Sequence, residues 1–166
     1  MHKARASSLI AAPPQIVYDF IAVDFARNYR RWSPEVQRLD MLTPGPLRVG
    51  SRARQVRFDQ GRLSDHTFRV VAMEPPRRVS FAESADRFRI EYRMEPVEEQ
   101  TRLTFLFELR RVEFYMRPFE KLIGVAIQEG AVRVVGNIKR LIELESTHPD
   151  CRQSPLSGED HGVHRR

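Results

Sequence analysis

The central part of the chain alternates between apolar and polar residues over a series of short segments. In residues 88–95, for example, Phe88, Ile90, Tyr92 and Met94 take every second position. Successive side chains of a strand point to opposite faces, so this alternation is typical of an antiparallel sheet with one buried face. The same pattern, interrupted by turn-forming Pro, Gly and Asp residues, predicts seven strands, at residues 4–11, 36–43, 50–59, 62–73, 78–84, 88–95 and 101–110.

Three other segments have the spacing of helices. Apolar residues three or four positions apart predict a short helix over residues 14–23 and a second over 24–31, which ends before Pro34. From about Arg117 to Ser146 the same spacing continues without a break and predicts one long amphipathic helix. Its apolar stripe is predicted to consist of Phe119, Leu122, Ile123, Ala126, Gly130, Val134, Ile138, Leu141 and Ile142.

The order of these elements predicts the fold class. One strand, two short helices, six strands and a long helix separate the helices from an antiparallel sheet, which defines an α+β fold. A sheet of seven strands twists and curls, and a helix of about 30 residues, about 45 Å long, can lie across its concave face. One domain over residues 1–146 accounts for all elements, whereas residues 147–166 lack periodicity and are predicted to form a disordered tail.

Composition and charge exclude several classes of function. The net charge is +6, but its 28 Lys and Arg residues are scattered, whereas a nucleic-acid site clusters them on one face, so we predict no nucleic-acid partner. No apolar run reaches the roughly 18 residues of a transmembrane segment. The N-terminus lacks the apolar core of a signal peptide, and Cys151 has no internal disulfide partner, so a cytoplasmic monomer or homodimer is expected.

The sequence carries no motif of a known catalytic or metal site. It has no nucleophile elbow, phosphate-binding loop or HExxH pattern. His148, His161 and His164 are spaced too widely for a compact metal site. We therefore predict neither a metal nor a cofactor, and the catalytic residues, if there are any, stay unknown.

Six segments of the chain nevertheless resemble a known family. In order and spacing they are similar to the signature segments of the SRPBCC superfamily of START-like, helix-grip domains, and in particular to its polyketide cyclase/dehydrase-like branch. The resemblance implies a curved sheet wrapped around the long C-terminal helix, with two short helices after the first strand and a deep apolar cavity between sheet and helix. The segments are IAAPPQIVYDFI, YRRWSP, VGSRARQVRF, VVAMEPPRRVSF, MEPVEEQTRLTF and NIKRLIELE.

The implied cavity supplies the candidate ligand-binding residues. Ala126 and Gly130 lie near the middle of the long helix, where small residues leave room for a guest, although Gly130 equally allows close packing of helix on sheet. Tyr29 and Trp32 form either a lid over the cavity mouth or an anchor between helix and sheet. The full set of lining candidates is Tyr29, Trp32, Gln55, Arg57, His66, Phe68, Phe81, Tyr92, Phe105, Phe107, Leu122, Ile123, Ala126 and Gly130.

The inward-facing side of residues 50–59 stays open at this stage. Val56 and Phe58 are apolar and favour their own face as the buried one. The family resemblance instead favours the face that carries Ala53, Gln55 and Arg57. The two alternatives place different polar groups in the cavity.

Polar residues inside the cavity decide whether catalysis is chemically feasible. Arg57 together with Tyr92 or His66 would polarise a ketone and support cyclisation or dehydration, as the resemblance implies. A core tyrosine with a bonded hydroxyl, and a neutral histidine bonded to a neighbour, are the favoured alternatives for Tyr92 and His66.

Three functions follow from these observations. The first is binding, transport or sensing of a hydrophobic small molecule or lipid, which the mostly apolar inner face favours. The second is a polyketide cyclase/dehydrase-like enzyme, which requires at least two polar groups that converge inside the cavity. The third is a toxin-like or regulatory interaction protein with a filled cavity, which a collapsed interior and an exposed apolar patch would favour.

Overall fold

All seven strands belong to one antiparallel sheet. The computed structural model describes residues 1–148, so the predictions for Cys151 and for the tail from residue 149 onward lie outside the described residues. The strands follow the order β1-β7-β6-β5-β4-β3-β2, with each neighbouring pair antiparallel, and they confirm the predicted sheet. Their bounds are β1 (His2–Ile10), β2 (Val36–Met41), β3 (Arg52–Asp59), β4 (Arg62–Glu74), β5 (Arg78–Glu83), β6 (Phe88–Val97) and β7 (Gln100–Leu109).

The helices complete a helix-grip arrangement, so the predicted α+β fold is confirmed. Helix α1 (Pro14–Tyr18) continues into a π-helical turn (Asp19–Val23), and α2 (Phe25–Trp32) follows it. A short 3₁₀ helix (Phe114–Phe119), which was not predicted, precedes the long helix α3 (Glu120–Thr147). Proline inside the 3₁₀ segment cannot take part in regular α-helical hydrogen bonding, which explains why α3 begins only after it.

Helix α3 packs on the edge of the sheet formed by β1 and β7. Its Gln128 side chain accepts a hydrogen bond from the backbone N–H of Arg5 at 3.2 Å and donates one to the Arg5 carbonyl at 2.9 Å. Lys139 donates to the carbonyl of Leu9 at 2.5 Å. These bonds satisfy backbone groups of an edge strand, which would otherwise be free to pair with another chain.

The buried side of α3 differs from the predicted stripe. Leu122 and Phe119 are 68% and 51% exposed, and Ala126 and Gly130 are only half-buried. The N-terminal half of α3 carries apolar residues on several sides, so the spacing alone does not define which side faces the sheet. The residues of α3 that are fully buried are Ala131, Val135, Ile138 and Ile142.

Candidate functional site

The pairing of β3 with β4 decides which residues of β3 face inward. Gln55 is opposite His66 and Ala53 is opposite Phe68, so all four side chains lie on the concave face. Ala53 and Gln55 are buried, whereas Phe58 is exposed. The side favoured by the family resemblance is therefore the inner one, and the alternative in which Val56 and Phe58 lie on the buried face is wrong.

An aromatic cluster fills the concave face beneath α2. The ring of Phe25 stacks on that of Phe81 at 5.0 Å, and Tyr92 lies 6.0 Å from Trp32 and 5.2 Å from Phe105. The remaining void has a volume of about 10 Å³, which is room for at most one water molecule. We call this region the closed end; its void is lined by Phe25, Tyr29, Gln55, Phe68, Phe81, Ile90 and Tyr92.

Hydrogen bonds within the closed end satisfy the predicted polar candidates. The Tyr29 hydroxyl donates to Gln55 Oε1 at 2.7 Å, and Trp32 Nε1 donates to the Tyr92 hydroxyl at 3.3 Å. Burial raises the pKa of both tyrosines, so both hydroxyls stay protonated at neutral pH. Trp32 is fully buried and anchors α2 to the sheet rather than covering an opening.

Arg57 lies at the boundary of this cluster as a paired cation. Its guanidinium donates to both carboxylate oxygens of Asp59, at 3.0 and 3.2 Å, and lies 4.0 Å from Glu35. Glu35 is also 3.7 Å from Arg133 of α3. Burial alone would lower the pKa of Arg57, but Tyr29, Asp59 and Glu35 together raise it, so the charge is permanent.

In the other half of the concave face, several apolar side chains are only partly buried. Phe107 is opposite Ala4 in the sheet, and Gln128 of α3 is bonded to the neighbouring Arg5. Ile90, Phe107 and Ile127 are partly buried and pack against the core, and Ile123 is partly buried as well, whereas Phe88 is buried. We call this region the open groove and define it by His66, Phe88, Ile90, Phe107, Ile123 and Ile127, of which Ile90 also borders the void of the closed end.

One imidazole in the open groove has an unsatisfied nitrogen. His66 lies edge-on to Phe88 at 5.4 Å, and Phe88 stacks on Phe107 at 5.7 Å. Within residues 1–148, the buried Nδ1 of His66 has no hydrogen-bond partner. Burial, followed by the positive charge of Arg87, lowers the pKa of His66, so the ring is neutral at pH 7. A neutral imidazole can donate or accept one hydrogen bond from a bound group at this point.

The predicted lining residues on α3 differ in how far they are buried. Ile123, Ala126 and Gly130 are half-buried, whereas Leu122 points to solvent and does not face the interior predicted for it. A Cβ at Gly130 would have only the guanidinium of Arg133 within 4 Å, at 3.8 Å. The alternative in which Gly130 permits close packing of helix on sheet is therefore wrong.

Three groove residues were missed by sequence reasoning. Phe88 and Ile90 belong to the alternating face of residues 88–95, so the sequence contained a signal for them. Ile127 carried no such signal, because its place on α3 depends on how the helix is rotated against β1. Among the predicted candidates, His66 and Phe107 both lie against Phe88, and Ile123 is partly buried on α3. The candidates Tyr29, Gln55, Phe68, Phe81 and Tyr92 instead line the void of the closed end.

The fold and the sequence together place the protein in a family. The family model for polyketide cyclase / dehydrase and lipid transport proteins matches residues 1–143. The chain belongs to the polyketide cyclase / dehydrase and lipid transport family. No curated protein matches it by sequence.

Solved structures of several bacterial proteins share the fold of this family member. The aromatase/cyclase Zhui from Streptomyces sp. R1128 has a TM-score of 0.71 at 14% identity, covering 89% of this chain and 97% of that one. The protein TTHA0849 from Thermus thermophilus has a TM-score of 0.69 at 20% identity, covering 87% of this chain and 99% of that one. The polyketide-cyclase-like protein Cgl2372 from Corynebacterium glutamicum has a TM-score of 0.63 at 24% identity, covering 88% of this chain and 94% of that one. At these identities the likeness concerns the fold alone.

Two further structural findings concern membrane-spanning helices and metal sites. Within residues 1–148, no helix is both long enough and apolar enough to cross a bilayer. In the same residues, His, Cys, Asp and Glu side chains do not form a group of three that would hold a metal ion.

Proposed function

We propose that the protein binds a hydrophobic small molecule or lipid in the open groove. The observation that carries this proposal is the pairing of partly exposed apolar side chains with the unsatisfied Nδ1 of His66. Ligand sites of proteins combine an apolar lining with a few polar groups that fix the orientation of the guest. The membership of a family that includes lipid transport proteins supports the same function.

The groove has a chemical preference that follows from its lining. The apolar part of a guest would contact Phe107, Ile123 and Ile127, where its burial is favourable by about 25 cal/mol per Å². A carbonyl or hydroxyl group of the guest would form a hydrogen bond with His66. The guanidinium of Arg87, whose charge acts on His66, is already paired with Glu83 at 3.0 Å, so a guest with a strong negative charge gains less here than a neutral polar one.

The cyclase/dehydrase alternative has a weaker basis. It requires two free polar groups that converge on a substrate. The Tyr92 hydroxyl already accepts a hydrogen bond from Trp32, and Tyr29 and Gln55 are bonded to each other. Only His66 offers an unsatisfied atom among these candidates, so binding without turnover is the better-supported proposal.

The interaction-protein alternative is favoured by the filled closed end. It required a collapsed interior and an exposed apolar patch, and both features occur in this molecule. They lie outside the open groove, so they do not compete with a guest bound there. The cytoplasmic location and the monomeric or homodimeric state stay predictions.

The test is binding of a fluorescent fatty-acid analogue to the purified protein. The variant Ile127→Trp fills the groove, and we expect it to weaken binding at least about tenfold. Leu144→Trp is the matched control, because Leu144 is exposed near the other end of the same helix. Native mass spectrometry of the freshly purified protein, followed by organic extraction, would identify any molecule that it retains.

Two outcomes would contradict the proposal. Equal binding by the wild type and Ile127→Trp, with Leu144→Trp unchanged, would place the analogue outside the groove. No binding by the wild type, together with an empty protein in the mass spectrum, would favour an interaction function instead.

A further inference from the structure

A second apolar surface lies outside the groove, where the 3₁₀ helix meets α3. Phe114 is 82% exposed, and Tyr115, Phe119, Leu122 and Val125 are also exposed. We call these five residues the apolar tip. Single exposed apolar residues are normal on a protein surface, but five within twelve positions of one segment mark an interaction surface.

Basic side chains accompany the apolar tip. Arg111, Arg117 and Lys121 are exposed within the same stretch of chain. The guanidinium of Arg117 lies 5.4 Å from the centre of the Phe114 ring, so its charge sits directly beside the apolar surface. A surface with this composition has both an apolar and an electrostatic attraction for an anionic interface.

The acidic residues of this segment reduce the positive charge only in part. Glu113 is neutralised by an ion pair with Arg62 at 3.4 Å, and Arg62 also contacts the Tyr115 hydroxyl. Glu120, at the first position of α3, adds one opposing charge. The three exposed cations therefore outweigh it.

The outer face of the sheet also carries an excess of cations. It contains a depression of about 480 Å³ to which Arg110, three residues before Glu113, contributes. Cations outnumber carboxylates there, although several of them are ion-paired. The charged residues that line it are Lys3, Arg5, Arg78, Arg89, Arg93 and Arg110, with Glu91 and Glu108.

We propose that the apolar tip docks the protein on an anionic membrane surface. Aromatic and aliphatic side chains would enter the interfacial layer, while Arg111, Arg117 and Lys121 contact acidic headgroups. A second copy of the chain fits less well, because a two-fold contact places the same patch on both sides. The three cations of each copy would then share one interface with the three of the other, which opposes association.

None of the five tip residues belongs to the open groove, although both sets include residues of α3, so different variants test the two proposals and each can fail independently. The test is sedimentation of the full chain with vesicles of phosphatidylcholine containing about one third phosphatidylglycerol, compared with phosphatidylcholine alone. We expect binding to the anionic vesicles at low salt and its loss at about 0.5 M salt. The double variant Phe114→Ser, Phe119→Ser should reduce the bound fraction about tenfold.

Control variants make the result specific. Leu144→Ser removes an exposed leucine far from the tip and should leave the bound fraction unchanged. Arg117→Glu with Lys121→Glu should weaken binding to anionic vesicles about as much as the Phe114 and Phe119 changes. All substituted residues are exposed, so circular dichroism should show an unchanged fold for each variant.

Three results would overturn the proposal. The first is a wild-type protein that sediments with neither kind of vesicle at low salt. The second is an equal loss of binding in Leu144→Ser. The third is a dimer in solution that the Phe114 and Phe119 changes convert to monomer, since the tip would then be a contact between copies.

Discussion

The two ends of the concave face are built from the same kinds of residue but are packed differently. At the closed end, α2 inserts Phe25, Tyr29 and Trp32 against the sheet, and the remaining void is about 10 Å³. At the open groove, α3 passes over β1 and β7, and side chains such as Phe107 and Ile127 stay partly exposed. The comparison teaches that the position of the short helices, not the sheet itself, decides which part of the concave face is completely buried.

The polar groups of the closed end have hydrogen-bond partners, whereas a polar group of the open groove does not. Tyr29 with Gln55 and Trp32 with Tyr92 form bonded pairs in the closed end. His66 in the groove has a buried nitrogen without a partner among the described residues. Satisfied pairs stabilise a fold, whereas an unsatisfied group in a partly open site is available to a ligand.

The largest expected effect tests whether the closed end is the structural core. Trp32→Ala should lower the free energy of unfolding by about 3–5 kcal/mol, because it leaves a cavity among packed rings and removes the donor to Tyr92. Phe107→Ala in the groove should cost less, because its side chain is only partly buried. Urea denaturation of both variants measures the difference. Equal losses would mean that the two ends are packed equally well and would remove the distinction.

Loss of the hydrogen bond between Tyr29 and Gln55 should have the next largest effect on stability, and a double-mutant cycle measures it. Tyr29→Phe leaves the Gln55 amide oxygen without its buried donor and should cost about 1–3 kcal/mol of unfolding free energy. Tyr29→Phe combined with Gln55→Leu should recover part of this loss, because no buried polar group is then left unpaired. Thermal unfolding of the two single variants and the double variant gives the coupling. Additive losses would show that the bond contributes nothing specific.

The strands could be predicted from the sequence, but the fine placement of the site could not. Alternation in residues 88–95 identifies the inner face of β6 directly. In β3 the apolar residues Val56 and Phe58 point outward, and the true inner face carries Gln55, so only the pairing with β4 settles it. The polarity of a single residue therefore does not predict whether it is buried when, as for Gln55, a buried amide has a hydrogen-bond partner.

The rotation of α3 and the filling of the cavity could not be predicted from the sequence for a different reason. Leu122 and Val125 are apolar and exposed, so the helix has no single apolar side in its first half. The void beneath α2 depends on how rings from α2, β4, β5 and β6 pack together in three dimensions. No periodic pattern along the chain encodes that volume.

The glycines of α3 provide a smaller and more specific test. Gly136→Ala should raise the free energy of unfolding by up to about 1 kcal/mol, because a Cβ there meets nothing within 4 Å and alanine favours the helix. Gly130→Ala should give a similar gain, since the nearest atom is an Arg133 nitrogen at 3.8 Å. Binding of the fatty-acid analogue should fall only for Gly130→Ala if that residue borders the groove. Unchanged binding in both variants would exclude Gly130 from the site.

The smallest expected effect is the pH dependence that His66 confers on stability. Its pKa is lowered in the folded protein, chiefly by burial and then by Arg87 and Arg57, while Glu83 and Asp65 act in the opposite direction. The unfolded chain therefore binds the proton more readily than the folded one. The contribution of His66 is complete above its ordinary pKa of about 6.5 and is lost as the pH falls through the lower folded value.

His66→Gln removes this titration while keeping a polar side chain in the groove. Urea midpoints at pH 8 and about pH 5.5 should differ more in the wild type than in His66→Gln, and the window stays above the range in which carboxylates titrate. A bound guest that bonds to the neutral imidazole should steepen the wild-type slope further, because protonation would then also release the guest. A pH dependence that is the same in both proteins would mean that the imidazole is not desolvated, and the groove would lose the one polar anchor that distinguishes it from the closed end.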